Sequence, residues 1–202
     1  MMRFKVGVML ALTFFLLAGC NKAENAGNTS SNEAANVVTA NNSGGCNFVS
    51  TKGNKPFVIK AVDTDTAEAK EFLKTCINPY TKIYMADAEA AKKGKREYNY
   101  NNCTGCHGGK LEGVMAPSLS KNTSGGQGAY DQKWVYAKNA TDKGMFETIA
   151  AGTPGTSGGA MFVWHNQLEG HTGDGLTTDQ ILKAIAYIRT EYKGDGEKTW
   201  MN

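Results

Sequence analysis

Two cysteines and a histidine near the middle of the chain have the types and spacing needed to attach a porphyrin covalently. Cys103, Cys106 and His107 form a Cys-x-x-Cys-His sequence, which is the attachment pattern of c-type haem. Each thiol can add to one vinyl group of the porphyrin, and the adjacent imidazole can then bind the iron. A Cys-x-x-Cys pair could instead be redox-active or form half of a zinc site. The zinc alternative needs a second ligand pair, and no closely spaced pair follows Cys106 in the sequence. We therefore predict one covalent haem c.

The sixth ligand of such an iron has to come from a methionine or a histidine elsewhere in the chain. Met161 ends a glycine-rich segment, residues 158–161, whose backbone can approach a haem closely. His165 is the alternative ligand, because an imidazole binds haem iron equally well. A His107–Met161 pair would raise the reduction potential relative to two histidines. It would also leave no position open for a substrate. The candidates that the sequence favours less are Met85, Met115, Met145 and His171.

The first twenty residues have the pattern of a bacterial lipoprotein leader. Arg3 and Lys5 precede an apolar run over residues 6–18. The run is too short to span a membrane, which takes about 20 apolar residues, but it suits a signal peptide. It ends in Leu-Ala-Gly-Cys at Cys20, which resembles a lipobox, although an ordinary cleavage site is the alternative. We expect acyl chains on Cys20 to hold the protein on the periplasmic side of a membrane. Asn21, rather than aspartate, favours sorting to an outer membrane.

Composition divides the chain into four parts. Residues 1–19 form the predicted lipoprotein signal peptide. Residues 20–45 are mostly Asn, Ala, Ser, Thr and Gly, and such a segment cannot bury enough apolar surface to offset its ordering entropy. It is predicted to be a flexible tether behind the lipidated cysteine. The remainder fits one domain, which we divide into an N-terminal extension, residues 46–85, and a haem domain, residues 86–202.

The cysteine count leaves one further pair. The chain has five cysteines, of which Cys20 is assigned to lipid and Cys103 and Cys106 to haem. Cys46 and Cys76 remain, and an exported protein folds in an oxidising compartment. We predict a disulfide between them, with two unpaired thiols as the alternative. In the chain-entropy model a disulfide that closes a loop of about 30 residues stabilises the folded state by about 3 to 4 kcal/mol.

The charge balance excludes one class of partner. The full chain has 22 basic and 19 acidic residues, and losing the leader with Arg3 and Lys5 leaves a net charge of +1. Two haem propionates would make the whole slightly acidic. Nucleic-acid binding would require a basic stripe, so we do not expect it.

Two helices are predicted to position the attachment site. Asp87 can cap a helix that runs to about Tyr100 and delivers the chain to Cys103. Ala91, Gly94 and Tyr98 share one face of it, which favours a close helix crossing at Gly94. The last helix begins with a capping box, and Tyr187 on it could fill the gap that Gly94 opens. The residues that define this last helix are Thr177, Gln180, Ile181, Ile185, Ile188, Tyr192 and Gly194.

The remaining elements are less sharply marked. Thr66 can cap a helix that contains Phe72 and Leu73, and residues 142–151 form another helical pattern. Residues 57–62 are predicted to form a short strand. The stretch 118–136 is rich in Gly, Ser and Asn and is predicted to be a loop.

Several short sequences beyond the attachment motif are typical of one family. They read Phe-Leu-Lys-Thr at 72–75, Asn-Pro-Tyr at 78–80, Leu-Glu-Gly at 111–113, Ala-Pro-Ser-Leu at 116–119, Trp-Val-Tyr at 134–136, Asp-Lys-Gly-Met-Phe-Glu-Thr-Ile at 142–149 and Ile-Ala-Tyr-Ile-Arg at 185–189. Over about residues 66–202 the chain thereby resembles the cytochrome c-L family of class I cytochromes c. The resemblance implies a mainly α, single class I cytochrome c domain with an N-terminal extension and long loops.

The resemblance also implies roles for particular residues. In class I cytochromes c the carbonyl of the residue matching Pro117 accepts the proton of the proximal imidazole, here His107 Nδ1. The methionine ligand precedes the final helix, as Met161 does. Family members can bind Ca²⁺ near the haem propionates, although no ligands are assignable here.

The function implied by the resemblance is electron transfer rather than catalysis. The protein would accept single electrons from a quinoprotein, the PQQ-dependent methanol dehydrogenase, including its lanthanide-dependent type. It would pass them to another cytochrome or an oxidase of the respiratory chain. Val114, Met115 and Ala116 are the apolar candidates for the docking face. One alternative is a general lipoprotein cytochrome that serves another dehydrogenase or respiratory complex. The other is a haem-based sensor or enzyme with a labile sixth ligand.

Overall fold

The computed structural model describes residues 45–120, 140–154 and 160–192. The predicted leader, the tether except Gly45, and most of the predicted loop 118–136 lie outside these residues. The described chain is mainly α, as predicted. Its elements are, in order, β1 (Phe48–Val49), β2 (Pro56–Phe57), α1 (Ala67–Thr75), α2 (Pro79–Ala86), α3 (Ala88–Tyr100), α4 (Cys103–His107), α5 (Asp142–Ala151), β3 (Val163–His165), β4 (His171–Leu176) and α6 (Thr178–Thr190). Within the described ranges, no helix combines the length and apolar character needed to cross a membrane.

The predicted helix starts are confirmed by their caps. The side chain of Thr66 accepts a hydrogen bond from the backbone of Ala69 at the start of α1, and Asp87 accepts from Glu89 at the start of α3. Thr177 and Gln180 form the capping box of α6. These side chains satisfy backbone N–H groups that have no partner inside the helix. α6 ends at Thr190, and the predicted stop at Gly194 lies outside the described residues.

The crossing of α3 and α6 at Gly94 is confirmed. A Cβ atom at Gly94 would lie 2.4 Å from the carbonyl oxygen of Lys183 and 2.8 Å from the Cβ of Tyr187. Only glycine allows this approach. Tyr187 packs against Tyr98 with 5.6 Å between the ring centroids. The contact with α6 therefore fixes the orientation of α3, the helix that precedes the attachment motif.

Several elements were not predicted: β1, the short helix α4, the helix α2 and the pair of strands β3 and β4. α2 begins with Pro79, whose fixed φ suits the first helical position, and Asn78 caps it by accepting from the Tyr80 N–H at 3.1 Å. The amide of Asn78 also donates to the Leu182 carbonyl at 2.9 Å, which ties α2 to α6. β3 and β4 pair in parallel with an irregular register. β4 contains two glycines and no apolar alternation, so its sequence shows no strand pattern.

The strand predicted at 57–62 is wrong in extent. β2 covers only Pro56–Phe57 and pairs antiparallel with β1. Residues 58–62 are not paired, although Ile59 is buried. Residues 58–62 are therefore an irregular segment despite their β-prone side chains, because the partner strand β1 is only two residues long.

The segment before α3 shares a core with the rest of the domain. The Phe72 ring of α1 lies 5.9 Å from the Phe48 ring and 4.8 Å from the Phe146 ring of α5. Cys46 and Cys76 are joined by a disulfide with their Cα atoms 5.4 Å apart. The extension therefore packs against α5 through Phe72, and the disulfide ties its first residue to the end of α1.

A buried ion pair connects the last two helices. Arg189 Nε of α6 lies 2.8 Å from Asp142 Oδ1, and both side chains are buried. Thr81 of α2 donates to the other oxygen of Asp142 at 2.5 Å. Removing one partner would leave a buried charge, so this contact fixes how α2, α5 and α6 sit together.

Candidate haem site

The attachment motif forms a short helix of its own. α4 spans Cys103–His107 and follows Asn102, whose φ of 59° turns the chain away from α3. Cys103 and Cys106 are the two unpaired cysteines of the described chain, and both are half-buried. Residues three apart on a helix lie on one face. The two thiols therefore point to one side of α4, as two thioether bonds to a single porphyrin require. Burial raises the pKa of the Cys103 thiol to about 11.

One ring nitrogen of His107 is hydrogen-bonded to the protein, and the other is available to bind a metal. Nδ1 lies 2.8 Å from the carbonyl oxygen of Pro117. A carbonyl can only accept, so Nδ1 carries the proton and Nε2 presents its lone pair. Nε2 makes no hydrogen bond to any described residue. Burial lowers the pKa of His107 and outweighs the opposing effect of the Pro117 carbonyl, so the imidazole is kept neutral. A neutral imidazole with a fixed tautomer is the form that binds iron.

A tightly bonded loop, residues 107–118, holds the Pro117 carbonyl in place. The carbonyl of Cys106 accepts from the backbone N–H groups of Val114, Met115 and Ala116 at 3.0 to 3.1 Å. The Gly113 N–H donates to the His107 carbonyl at 2.8 Å. We call residues 107–118 the proximal loop. It returns onto the helix that carries the cysteines, so the imidazole and its acceptor move together.

Gly113 is the position of the proximal loop at which a Cβ would collide with backbone atoms. Its φ is +82°, and a Cβ there would lie 2.7 Å from the Ser118 nitrogen and 2.8 Å from the Ala116 carbonyl oxygen. The left-handed φ and the close backbone both require glycine.

Tyr98 contributes a contact that the sequence reasoning missed. Its side chain is fully buried, and its hydroxyl donates to the Gly108 carbonyl at 2.8 Å. The sequence predicted Tyr98 only as a packing residue of α3. Burial raises its pKa, so it stays a neutral donor. The only available signal was a tyrosine on the predicted contact face of α3, five residues before Cys103, since a buried hydroxyl usually finds a partner.

Met161 lies beside the two residues that follow α5, Gly152 and Thr153. The Met161 N–H donates to the Thr153 hydroxyl, and the Thr153 N–H donates to the Met161 carbonyl, both at 3.1 Å. Gly152 has a φ of +70°, and a Cβ there would lie 2.4 Å from the Met161 carbonyl oxygen. We call residues 152–154 and 160–165 the distal segment. Gly158 and Gly159 of the predicted glycine-rich segment lie outside the described residues.

His165 is enclosed by protein hydrogen bonds. It is 1% exposed, and its Nδ1 accepts from the Gln167 N–H at 3.1 Å. Nε2 must then carry the proton, which it donates to the Thr178 hydroxyl at 3.0 Å. Burial lowers the pKa of His165 to about 4, with Asp65 opposing the shift and His171 adding to it. Both ring nitrogens are therefore occupied.

The proximal loop and the distal segment both have exposed apolar side chains. Val114 is 50% exposed, Met115 66% and Phe162 62%. Ala116 is half-buried. Val114, Met115 and Ala116 belong to the proximal loop and Phe162 to the distal segment. Across the described ranges, no cluster of three or more His, Cys, Asp or Glu side chains could hold a metal ion.

Comparisons with known proteins agree with this arrangement. Residues 91–191 match the family model for cytochrome c. The chain is 33% identical, over 139 residues, to cytochrome c-L of Methylorubrum extorquens; the match covers 68% of this chain and 57% of that relative's length. It is also similar to the crystal structure of cytochrome cL from Methylophaga aminisulfidivorans, at 30% identity and a TM-score of 0.55. That match covers 78% of this chain and 88% of the other. For cytochrome cL from Hyphomicrobium denitrificans the identity is 32% and the TM-score 0.51, over 72% and 73% of the two chains.

Proposed function

Because this chain belongs to the cytochrome c family and within it most resembles cytochrome c-L, we propose that it is a monohaem electron carrier. The observation that supports this best is the His107–Pro117 hydrogen bond beside two unpaired thiols. Haem c would supply a reversible one-electron couple. Cys103 and Cys106 would hold it by two thioethers, and His107 Nε2 would bind its iron.

Met161 is the proposed sixth ligand. Its backbone is fixed by two hydrogen bonds to Thr153, and neither of them uses the thioether. The alternative, His165, would have to give up its bond to Thr178 before Nε2 could bind iron, and that bond is buried. Breaking it would leave a buried hydroxyl without its partner, which costs about 1 to 3 kcal/mol.

Two protein ligands leave no coordination position for a substrate, so the proposed activity is electron transfer and not catalysis. The chain's own residues then have three tasks. They hold the porphyrin, keep His107 in one tautomer, and exclude water from the side of α4 that packs on Tyr98.

The proposed electron donor is a PQQ-dependent methanol dehydrogenase, inferred from the similarity to cytochrome c-L. Val114, Met115 and Ala116, together with Phe162, would form an apolar contact around the haem edge. Interfaces between transient redox partners usually bury less than about 1,200 Å². A small apolar contact therefore suits a partner that must leave after each electron.

We further propose that the mature protein is a lipoprotein anchored through Cys20 on the periplasmic side of the outer membrane. The support is the leader pattern and Asn21. Residues 21–45 would act as a tether, with a typical reach of about 25 to 30 Å. The electrons would pass to a downstream cytochrome or oxidase of the respiratory chain.

Stopped-flow mixing with reduced methanol dehydrogenase tests the proposed function. We expect this haem to be reduced at least about tenfold faster than that of an unrelated class I cytochrome, because docking selects the partner. Met115→Glu should remove most of that advantage. Ile77→Glu is the matched control, since Ile77 is a similarly exposed apolar residue on another surface. Equal rates for this protein and the unrelated cytochrome would reject the pairing and favour service to another dehydrogenase.

A further inference from the structure

The solvent face of α3 concentrates positive charge that the near-neutral composition conceals. Lys92, Lys93, Lys95 and Arg96 surround Gly94, and all four are exposed while Gly94 is buried. We call these four residues the basic face. Gly94 touches α6 so closely that its neighbours on the helix must point outward. The same crossing that builds the core therefore presents four cations together.

Few carboxylates balance the basic face. Lys92 pairs with Glu89 at 2.6 Å, and Arg96 lies 3.9 Å from Glu97. Glu97 also bonds Asn101 and has a side chain only 14% exposed, so it is turned partly inward. Neither remaining lysine forms an ion pair with a described residue. Exposed pairs such as Lys92–Glu89 are weak, so the face keeps a net positive charge.

An exposed aromatic ring joins the basic face to the haem site. Lys92, Arg96, Asn99 and Tyr100 follow helical spacing and line one shallow hollow together with Lys95. Tyr100 is 83% exposed, at the end of α3 and three residues before Cys103. Aromatic and arginine side chains are enriched where proteins bind each other. A partner seated on this hollow would therefore lie next to the attachment helix.

We propose that the basic face and Tyr100 dock the carboxylate-rich surface of a protein redox partner. The inference rests on the proposed electron-carrier function and names the chemistry of one partner surface. Four cations on a single turn and a half are too few to follow a nucleic-acid backbone, but they suffice to steer an acidic protein. The surface differs from the apolar contact proposed around Val114 and Met115, so it would serve a second partner or a second part of one interface.

Charge reversal on the holoprotein tests the proposal. The probe is reduced flavodoxin, a carboxylate-rich protein that donates single electrons. At low salt we expect Lys95→Glu with Arg96→Glu, two residues that line the hollow, to slow haem reduction by about tenfold, and added salt to abolish the difference. Lys52→Glu with Lys60→Glu is the matched control, because both residues are exposed and the net charge changes equally. The control should slow reduction less than twofold. Equal slowing in the two variants would show an effect of net charge alone and overturn the proposal.

A binding measurement separates this proposal from the proposed function. Amide chemical shifts of the oxidised holoprotein with oxidised flavodoxin should move on α3 and at Tyr100, with no electron transferred. That result would stand even if methanol dehydrogenase proved to be the wrong donor. Shifts confined to the proximal loop would overturn the proposal. So would α3 shifts caused by vesicles containing phosphatidylglycerol but not by flavodoxin, since these would assign the face to a lipid surface.

Discussion

The proximal loop and the distal segment would supply the two axial ligands, but they are built very differently. On the proximal side, the Cys106 carbonyl alone accepts three backbone hydrogen bonds, and the His107 ring and carbonyl are both bonded. On the distal side, Met161 is held by two hydrogen bonds to one residue, Thr153. The difference predicts which proposed ligand would leave the iron more easily: moving His107 would break the bonds of its loop, whereas moving Met161 would break only those to Thr153.

This asymmetry gives the two sides separate physical roles. The proximal loop fixes the tautomer and position of the imidazole, which are the features that tune the metal. The distal segment is positioned from further away, through α5 at one end and the His165–Thr178 bond at the other. Conditions that loosen the protein should therefore act first on the distal ligand. Three experiments test that order.

Replacing the distal ligand should give the largest effect. In Met161→Ala the haem should stay covalently attached, because the thiols and His107 are untouched. The ferric protein should lose the weak red absorption band of methionine ligation, and the ferrous protein should bind carbon monoxide fully. Met115→Ala is the control, since Met115 is an exposed methionine. A band that survives in Met161→Ala would assign the sixth ligand elsewhere. Carbon monoxide binding by the unmodified protein would favour a sensor or an enzyme.

The proximal side was the more predictable of the two from sequence. The attachment pattern is local, with its three residues within five positions, and the caps of α1, α3 and α6 each depend on residues within one turn. The crossing at Gly94 could be predicted because a single small residue on a buried face has few other uses. The role of Pro117 came from family resemblance, since its partner is ten residues away and no spacing rule links them.

The rest depended on contacts between distant parts of the chain. α2 is short and only weakly amphipathic, and it is held by Asn78, which bonds α6 across 104 positions. The burial of His165 depends on Thr178 and on the Phe146 ring, with centroids 5.9 Å apart. A histidine in a sequence does not reveal whether its nitrogens are free, so the bonds of both His165 nitrogens could not be predicted.

Acidification should lower the free energy of unfolding by about 3 kcal/mol through the protonation of His165 in the distal segment. The pKa of His165 is about 4 in the folded protein and about 6.5 in the unfolded chain. Between these values the unfolded chain binds a proton that the folded protein does not bind. This contribution to stability is complete above pH 6.5 and is lost as the pH falls towards 4. Asp65 and His171 are the charged and titratable groups that act on His165, and their effects are included in that pKa. His165→Asn should flatten the dependence of the free energy of unfolding on pH within this window.

The slope, rather than the absolute stability, is the quantity to compare. His165→Asn also loses packing against Phe146, so the variant will be weaker at every pH. Denaturant unfolding of both holoproteins at several pH values between 4 and 7 gives the two slopes. Equal slopes would mean that His165 is not the group that makes the distal side sensitive to acid.

A pair of glycine substitutions gives the smallest but most direct comparison. Gly113→Ala and Gly152→Ala each place a Cβ within 2.7 Å of backbone, at a φ that other residues rarely adopt. Each should cost about 1 to 3 kcal/mol of unfolding free energy. Only Gly152→Ala displaces the Met161 carbonyl, so only it should weaken the methionine absorption band. Gly113→Ala should keep that band and instead disturb the His107–Pro117 bond, which would appear as a changed Nδ1–H chemical shift.

Gly53→Ala is a control that has the strained backbone φ of the other two alanine variants but no collision with neighbouring atoms. Gly53 has a φ of +78°, but a Cβ there would meet no atom within 4 Å. Its substitution should cost about 1 kcal/mol and alter neither spectral feature. If Gly113→Ala were to weaken the methionine band as much as Gly152→Ala does, the two sides would be mechanically coupled. The separate roles inferred for the proximal loop and the distal segment would then be wrong, because displacing one ligand's support would release the other.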